Sequence, residues 1–232
     1  MIFAAILAGG IGTRMETQTP KQFELVADKP ILIHSIEKFL KVDEIDKIIV
    51  SSPKEYINNT ISIIDEYVGE NERIAVIEGG ITRNDTILNS IDYAKENSDG
   101  EAILITHDAA RIFVSPELIK KSIDSLEVND ASCPVINAVD VIFETKEAGK
   151  ITDIPLRKYL VHAQTPQAFK INRFLEIYET LSAEEISKLD EAMALFFFGN
   201  GKVSLFEGER SNFKITYPID LEIAEVYLRH QD

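Results

Sequence analysis

The chain of 232 residues is 45% hydrophobic and 27% charged, ordinary globular material with enough apolar mass for one sizeable core. Its 24 basic against 39 acidic residues give a net charge of −15, which argues against nucleic acid or an anionic membrane as partner, because both demand a basic face. No apolar run approaches the ~18–20 residues of a membrane span and the start lacks the basic segment and cleavage site of a signal peptide, so a cytoplasmic protein is expected.

Residues 2–7, IFAAIL, form an apolar run of strand length, the pattern of a strand buried on both faces of a parallel sheet. Gly9, Gly10 and Gly12 follow within four residues. Glycines there let backbone approach a ligand, and successive N–H groups in such a turn make an anion nest. Arg14 and Lys21 add two cations, a local charge reversal in an acidic chain that points to a polyphosphate. The spacing is not G-x-G-x-x-G, because Met15 stands at the third position, and it is not a Walker A loop. A strand–turn–helix without a ligand is the alternative.

Residues 30–40 have apolar residues at helical spacing with Pro30 in the first turn, and His34 within them reads as a packing residue. Residues 46–50 read as a short strand. Residues 56–67 read as a helix with Ile57, Ile61, Ile64 and Val68 on its buried stripe. A strand over 73–77 runs into Glu78-Gly79-Gly80, and a helix begins near Thr82. Thr82 and Asn84 are both good caps there, and a helix N-terminus suits phosphates or polar ring atoms. The next strand, 101–105, delivers Thr106 to Arg111. Ligands in open α/β sheets sit beyond the carboxyl ends of the strands. A carboxylate there, Asp108, is a natural Mg²⁺ ligand, since that ion takes one or two carboxylates plus substrate phosphates. A turn or capping aspartate is the alternative.

Residues 116–126 read as a helix capped by Ser115, and 131–139 as a strand whose one cysteine, Cys133, is expected to be a buried structural thiol. This alternation of strands and helices implies an α/β fold, a Rossmann-like, mostly parallel twisted sheet with helices on both faces. At 139 the alternation stops. Residues 139–165 read as two extended runs around a Gly149-Lys150 turn, an arm whose uncovered edges invite pairing with a second chain. Helices are then expected over 166–181 and 184–196. An Asn200-Gly201 turn follows the core aromatics Phe196 to Phe198, and a strand runs to Phe206. Lys214 falls in an alternating segment, FKITY, expected near the sheet's end, and 218–228 closes as a helix with Asp220 and Glu222 at its start. One domain over 1–232, with 139–165 projecting, is the expected organisation.

Leu7-Ala8-Gly9-Gly10-x-Gly12-Thr13-Arg14-Met15, followed by Pro20-Lys21-Gln22-Phe23, resembles the signature of sugar- and polyol-phosphate nucleotidyltransferases. It is most similar to the cytidylyltransferases that make CDP-ribitol and CDP-methylerythritol. Glu78-Gly79-Gly80 with Arg83, Thr106 to Arg111, Gln164-Thr165-Pro166-Gln167 and Asn212 to Thr216 agree with it, in order, over nearly the whole chain. The resemblance implies direct attack of an acceptor phosphate on the α-phosphorus of CTP, with Arg14 and Lys21 catalytic. It assigns CTP to Leu7, Ala8, Gly9, Gly10, Gly12, Gly80, Ile81, Arg83, Asn84, Thr86 and Ala109. The acceptor falls to Arg111, Asp140, Arg157 and Lys214, and Mg²⁺ to Asp108. It further implies a homodimer in which Arg157 enters the neighbour's site.

Leu-Ala-Gly-Gly at the start and Ile151-Thr152-Asp153-Ile154-Pro155-x-Arg157 in the arm look more like the enzymes for D-ribitol 5-phosphate, with 2-C-methyl-D-erythritol 4-phosphate as the alternative acceptor. The chain departs from the family's usual residues at Ile112, where proline is common, and at Val141, where threonine is. Ser211 replaces an aspartate that some relatives have. Val141 and Ser211 leave open a nucleotide-binding regulator without turnover, against which stands the retention of Arg14, Lys21 and Asp108.

Overall fold

The computed structural model describes residues 1–9, 20–186, 189 and 191–230; Gly10, Gly12 and Arg14 lie outside the described residues. The first half runs β1 (Ile2–Leu7), a hairpin of β2 (Leu25–Val26) and β3 (Lys29–Pro30), α1 (Ile31–Leu40), β4 (Lys47–Ser52), α2 (Ile57–Tyr67), β5 (Ile74–Glu78), α3 (Arg83–Glu96) and β6 (Ile103–Asp108). The second runs α4 (Pro116–Asp124), β7 (Ala131–Asn137), β8 (Val161–Ala163), β9 (Gln167–Lys170), α5 (Ile171–Tyr178), α6 (Ala183–Ile186), α7 (Ala192–Phe198), β10 (Val203–Glu207) and α8 (Pro218–Arg229).

The main sheet has the order β10-β7-β9-β6-β1-β4-β5, with β8 beside β7. β1 lies parallel to both β4 and β6, and β9 enters antiparallel between β6 and β7. The unbroken apolar run of β1 follows from this central place. Ala4 and Ile6 point into one layer with Leu32, Ile36 and Phe39 of α1 and Ile119 of α4. Phe3 and Ala5 point into the other, with Ile87 and Ile91 of α3, Phe174 of α5 and Phe196 of α7. Burying each large side chain of this kind is worth about 1.5–3 kcal/mol, so two helical layers hold the sheet from opposite faces.

Several segments differ from the sequence reading. The first residues of the expected 166–181 helix form β9, because they complete the ladder between β6 and β7, and α5 starts only at Ile171. The expected 184–196 helix is divided into α6 and α7. On α2 the buried positions are Thr60 and Ile64, while Ile61 is exposed. The hydroxyls of Thr60 and Ser52 share a buried 2.8 Å hydrogen bond, which lets a polar residue take the inner face. Phe196 is core and Phe197 is exposed, at the end of a helix whose last turn brings Gly199 against Ile177, where a Cβ would stand 2.1 Å from a side-chain methyl. FKITY forms no strand. Cys133 is buried, and burial pushes its thiol up to about 11, leaving it protonated and unreactive.

Residues 139–160 leave the sheet after β7 as a loose hairpin. Gly149 turns it with a φ of 77°, and two isolated bridges, Glu144–Asp153 and Glu147–Lys150, cross it together with the bond from Arg157 Nη1 to Val139 O. Ile142, Phe143, Ile151, Ile154, Leu156 and Tyr159 along it are all exposed.

Candidate active site at the carboxyl ends of the strands

β1, β5 and β6 run in one direction, so the segments that leave their carboxyl ends converge. They enclose a cleft of about 260 Å³. Leu7, Ala8 and Gly9 line it from the end of β1, Gly80, Ile81, Thr82, Arg83 and Thr86 from the β5–α3 turn, and Asp108, Ala109 and Ala110 from the end of β6. Lys21, Gln22 and Lys214 close it.

The β5–α3 turn is built for close backbone approach. Thr82 caps α3, accepting from Asp85 N, and the Asp85 carboxylate accepts from Thr82 N in return. The Thr86 hydroxyl accepts from Gly80 N at 2.9 Å and donates to Thr82 O at 2.9 Å. A Cβ on Gly80 would lie 2.1 Å from Asp85 Cβ and 2.6 Å from Thr86 N, so any side chain would push the first turn of α3 away. The α3 N-terminus therefore faces the cleft with its positive end, where anions and ring acceptors gain most.

Opposite it stands Asp108, the last residue of β6 rather than a loop aspartate. Arg83 Nη1 donates to Oδ1 at 2.6 Å, Lys214 Nζ lies 3.0 Å from Oδ2, and Arg111 Nε lies 3.4 Å from Oδ2. Burial works to raise the carboxyl pKa, but Arg83, then Lys214 and Arg111, outweigh it and hold Asp108 well below the usual carboxylate range. The group is thus an anion at any working pH. Arg83 reaches further to Glu191, at 3.5 Å.

A second layer fixes this cluster from below. Asp108 N donates to Thr165 Oγ1 at 3.1 Å, and that oxygen lies 3.0 Å from His107 Nδ1. His107 Nε2 lies 3.1 Å from the Arg111 carbonyl, which can only accept, so Nε2 bears the proton and Thr165 donates to Nδ1. Burial holds His107 down to about 4, in keeping with a neutral ring. Asn212 Nδ2 donates to Thr165 O at 2.8 Å, and Arg111 Nη1 donates to Asn212 O at 2.8 Å.

Of the residues singled out in the sequence, Leu7, Ala8, Gly9, Lys21, Gly80, Ile81, Arg83, Thr86, Asp108, Ala109 and Lys214 meet in the cleft. Asn84 does not line it, and its amide donates to the Leu189 carbonyl. Arg111 lies beneath the floor, engaged with Asp108 and Asn212. Asp140 and Arg157 stand exposed on the arm, where Arg157 Nη1 donates to Val139 O at 2.8 Å. Sequence reasoning missed Gln22, Thr82 and Ala110 as lining residues and the Arg83–Asp108 ion pair. Only the place of Gln22 beside Lys21 could have hinted at the first. Among the described residues no group of three or more His, Cys, Asp or Glu side chains could cage a metal, and no helix is long and apolar enough to cross a membrane.

Set beside known proteins, residues 2–230 match the family model of IspD, 2-C-methyl-D-erythritol 4-phosphate cytidylyltransferase. The chain is 40% identical over 227 residues, 97% of either chain, to a ribitol-5-phosphate cytidylyltransferase of Lactiplantibacillus plantarum. Among solved structures it is similar to the 4-diphosphocytidyl-2C-methyl-D-erythritol synthase of Anaerococcus prevotii, with a TM-score of 0.81 and 28% identity over 99% of this chain and 96% of that one. It also resembles the 2-C-methyl-D-erythritol 4-phosphate cytidylyltransferase of Francisella tularensis, with a TM-score of 0.80 and 26% identity over 97% and 98%.

Proposed function

The chain belongs to the IspD family of cytidylyltransferases, and from that premise we propose that it converts CTP and D-ribitol 5-phosphate to CDP-ribitol and pyrophosphate. The observation that carries this choice of acceptor is the 40% identity, end to end, to a ribitol-5-phosphate cytidylyltransferase, against 28% and 26% to the two methylerythritol enzymes above.

An oxygen of the acceptor phosphate attacks the α-phosphorus, a new P–O bond forms, and the bond to the β-phosphate oxygen breaks as pyrophosphate leaves. The attacking phosphate is an anion at neutral pH, so no general base is needed, and catalysis reduces to positioning and charge stabilisation. Lys21, whose Nζ is steered by a 2.9 Å bond to Ile215 O, and Arg14 stabilise charge on the α-phosphate and leaving group. The β5–α3 turn receives the cytosine, with Gly80, Ile81 and Thr86 against it. Lys214, paired with Asp108, turns to the acceptor phosphate. The donor chemistry at Asp108 fits Mg²⁺, since the carboxylate is ionised and retains lone pairs beyond those its cations use. Asp108 and substrate phosphate oxygens would hold the ion, which supplies further neutralisation of phosphate charge.

The exposed apolar arm supports a C₂ homodimer, in which Arg157 of each copy enters the other's cleft to grip the acceptor with Asp140. Residues 1–232 then form one nucleotidyltransferase domain with the arm as its dimerisation element. The need for CTP and the lone unreactive thiol support a cytoplasmic setting. Pyrophosphate release with CTP and each polyol phosphate tests the reading: ribitol 5-phosphate should be turned over fastest, and faster turnover of methylerythritol phosphate would contradict it.

A further inference from the structure

Gln22 has no role in the chemistry above, yet it is one of the most enclosed polar residues of the cleft. It is 3% exposed and sits in the short 3-10 turn Lys21–Phe23. That turn is anchored on its far side by Phe23, which packs into the core layer with Leu32 and Ile36 and lies 5.7 Å from the Tyr56 ring. The backbone is tied as well, with Phe23 N donating to Pro20 O at 2.9 Å and Glu24 N to Lys21 O at 3.1 Å. Gln22 is therefore held in place beside Lys21, and it lines the same cleft as Asp108 and Ala110.

Its amide nitrogen is buried and has no hydrogen-bond partner. Natural interiors satisfy nearly all such donors, and an unmade one is costly. Two other buried amides have an unmet atom, Gln167 at Oε1 and Asn212 at Oδ1. Neither lines the cleft. A residue with only a packing duty at this place would be better as methionine, which has the same reach and no polar atom.

We propose that the Gln22 side-chain amide is a substrate-binding donor, giving a hydrogen bond to a phosphate oxygen of the bound substrates. The chemistry of the neighbourhood selects that acceptor. Gln22 follows Lys21 in the chain, and Lys21 Nζ donates to the carbonyl of Ile215, the neighbour of Lys214, so two cations of the cleft lie on this segment's side. A neutral amide adds a directed donor there without a further charge. The inference rests on the cleft being the CTP and polyol-phosphate site, and the phosphate can belong to either substrate.

Two variants test it, Gln22→Met and Gln22→Glu, assayed for pyrophosphate release with CTP and ribitol 5-phosphate varied in turn, and for thermal unfolding. Gln22→Met should lower kcat/KM about ten- to a hundred-fold, the scale of one lost hydrogen bond to a charged oxygen, while Tm stays level or rises. Gln22→Glu should lose more, because its carboxylate repels phosphate. The substrate whose KM moves identifies the phosphate. Gln22→Met within twofold of the parent for both substrates would overturn the inference, as would an activity loss that only follows a fallen Tm. If the parent protein turns over neither polyol phosphate, the proposed function fails on its own. Calorimetric titration of parent and Gln22→Met with CTP and with ribitol 5-phosphate then still decides the role of Gln22, equal affinities counting against it.

Discussion

The cleft and the arm are opposites in how their residues are satisfied. In the cleft, Asp108 is 7% exposed and three cations surround it, and a neutral histidine, a threonine and an asparagine bond to one another beneath it. In the arm, Leu156 is 63% and Tyr159 is 73% exposed, two isolated bridges cross the hairpin, and the ion pairs Lys146–Glu144 and Lys150–Glu147 are near-surface contacts of little energetic weight. One chain gathers cations around a buried anion in the first region, with Gln22 Nε2 left unpartnered there, and leaves apolar surface uncovered in the second. Pre-formed charge in the cleft and uncovered apolar surface on the arm are what the proposed sharing of the site by two copies would draw on.

Substitutions can break either side of that contrast. The largest effect is expected at Asp108. Asp108→Ala leaves Arg83 and Arg111 facing each other without their buried anion, which should cost roughly 3–5 kcal/mol of stability, read by urea unfolding. Lys21→Ala should leave the fold intact and lower turnover by ~10²–10³-fold, with CTP affinity by calorimetry changed far less. Near-normal turnover would remove Lys21 from the chemistry.

pH separates the regions more gently. His107 is neutral when folded, held down to about 4, and regains an ordinary pKa near 6.5 when unfolded. Between those values the unfolded state binds the extra proton, so stability is full above about pH 6.5 and falls as pH drops towards 4, by at most about 1.4 kcal/mol per pH unit from this group. Burial also lowers His34, which adds in the same direction. Asp108, already held low, stays ionised across this window and does not contribute. His107→Gln should flatten the slope measured by urea unfolding from pH 7 to 5. The smallest effect is expected from the arm, where Arg157→Ala should raise the acceptor KM about tenfold and leave stability unchanged.

Much of the cleft was legible in the sequence because its chemistry is local. Glycines next to a buried strand, a capped helix after Gly79-Gly80 and a carboxylate at a strand end each follow from a few neighbouring residues. What was not legible depends on partners far along the chain. Nothing near Arg83 announces Asp108, and Gln167 to Lys170 reads as the start of a helix until β6 and β7 present open edges on both sides of it. Asn84 looked as good a cap as Thr82, but the reciprocal bond to Asp85 gives the place to Thr82 and leaves Asn84 to the Leu189 carbonyl. Of the arm expected over 139–165, residues 139–160 keep the extended local pattern of their sequence, whereas 161–165 return to the sheet, with β8 beside β7, and bond to Glu209 and Asp108, partners no local pattern announces.

The measurement that bears most directly on the shared site is complementation between Lys21→Ala and Arg157→Ala, assayed with CTP and ribitol 5-phosphate well below the acceptor KM of the Arg157 variant. There the Lys21 variant alone should be nearly inactive and the Arg157 variant should retain about a tenth of the parent's activity. In a mixed dimer one site has both defects and the other has neither. With random exchange at equal amounts half of the dimers are mixed, so activity should return to about a quarter of the parent's. No recovery, with subunit exchange demonstrated by a tagged copy, would contradict the account and assign Arg157 to its own chain's site or to none.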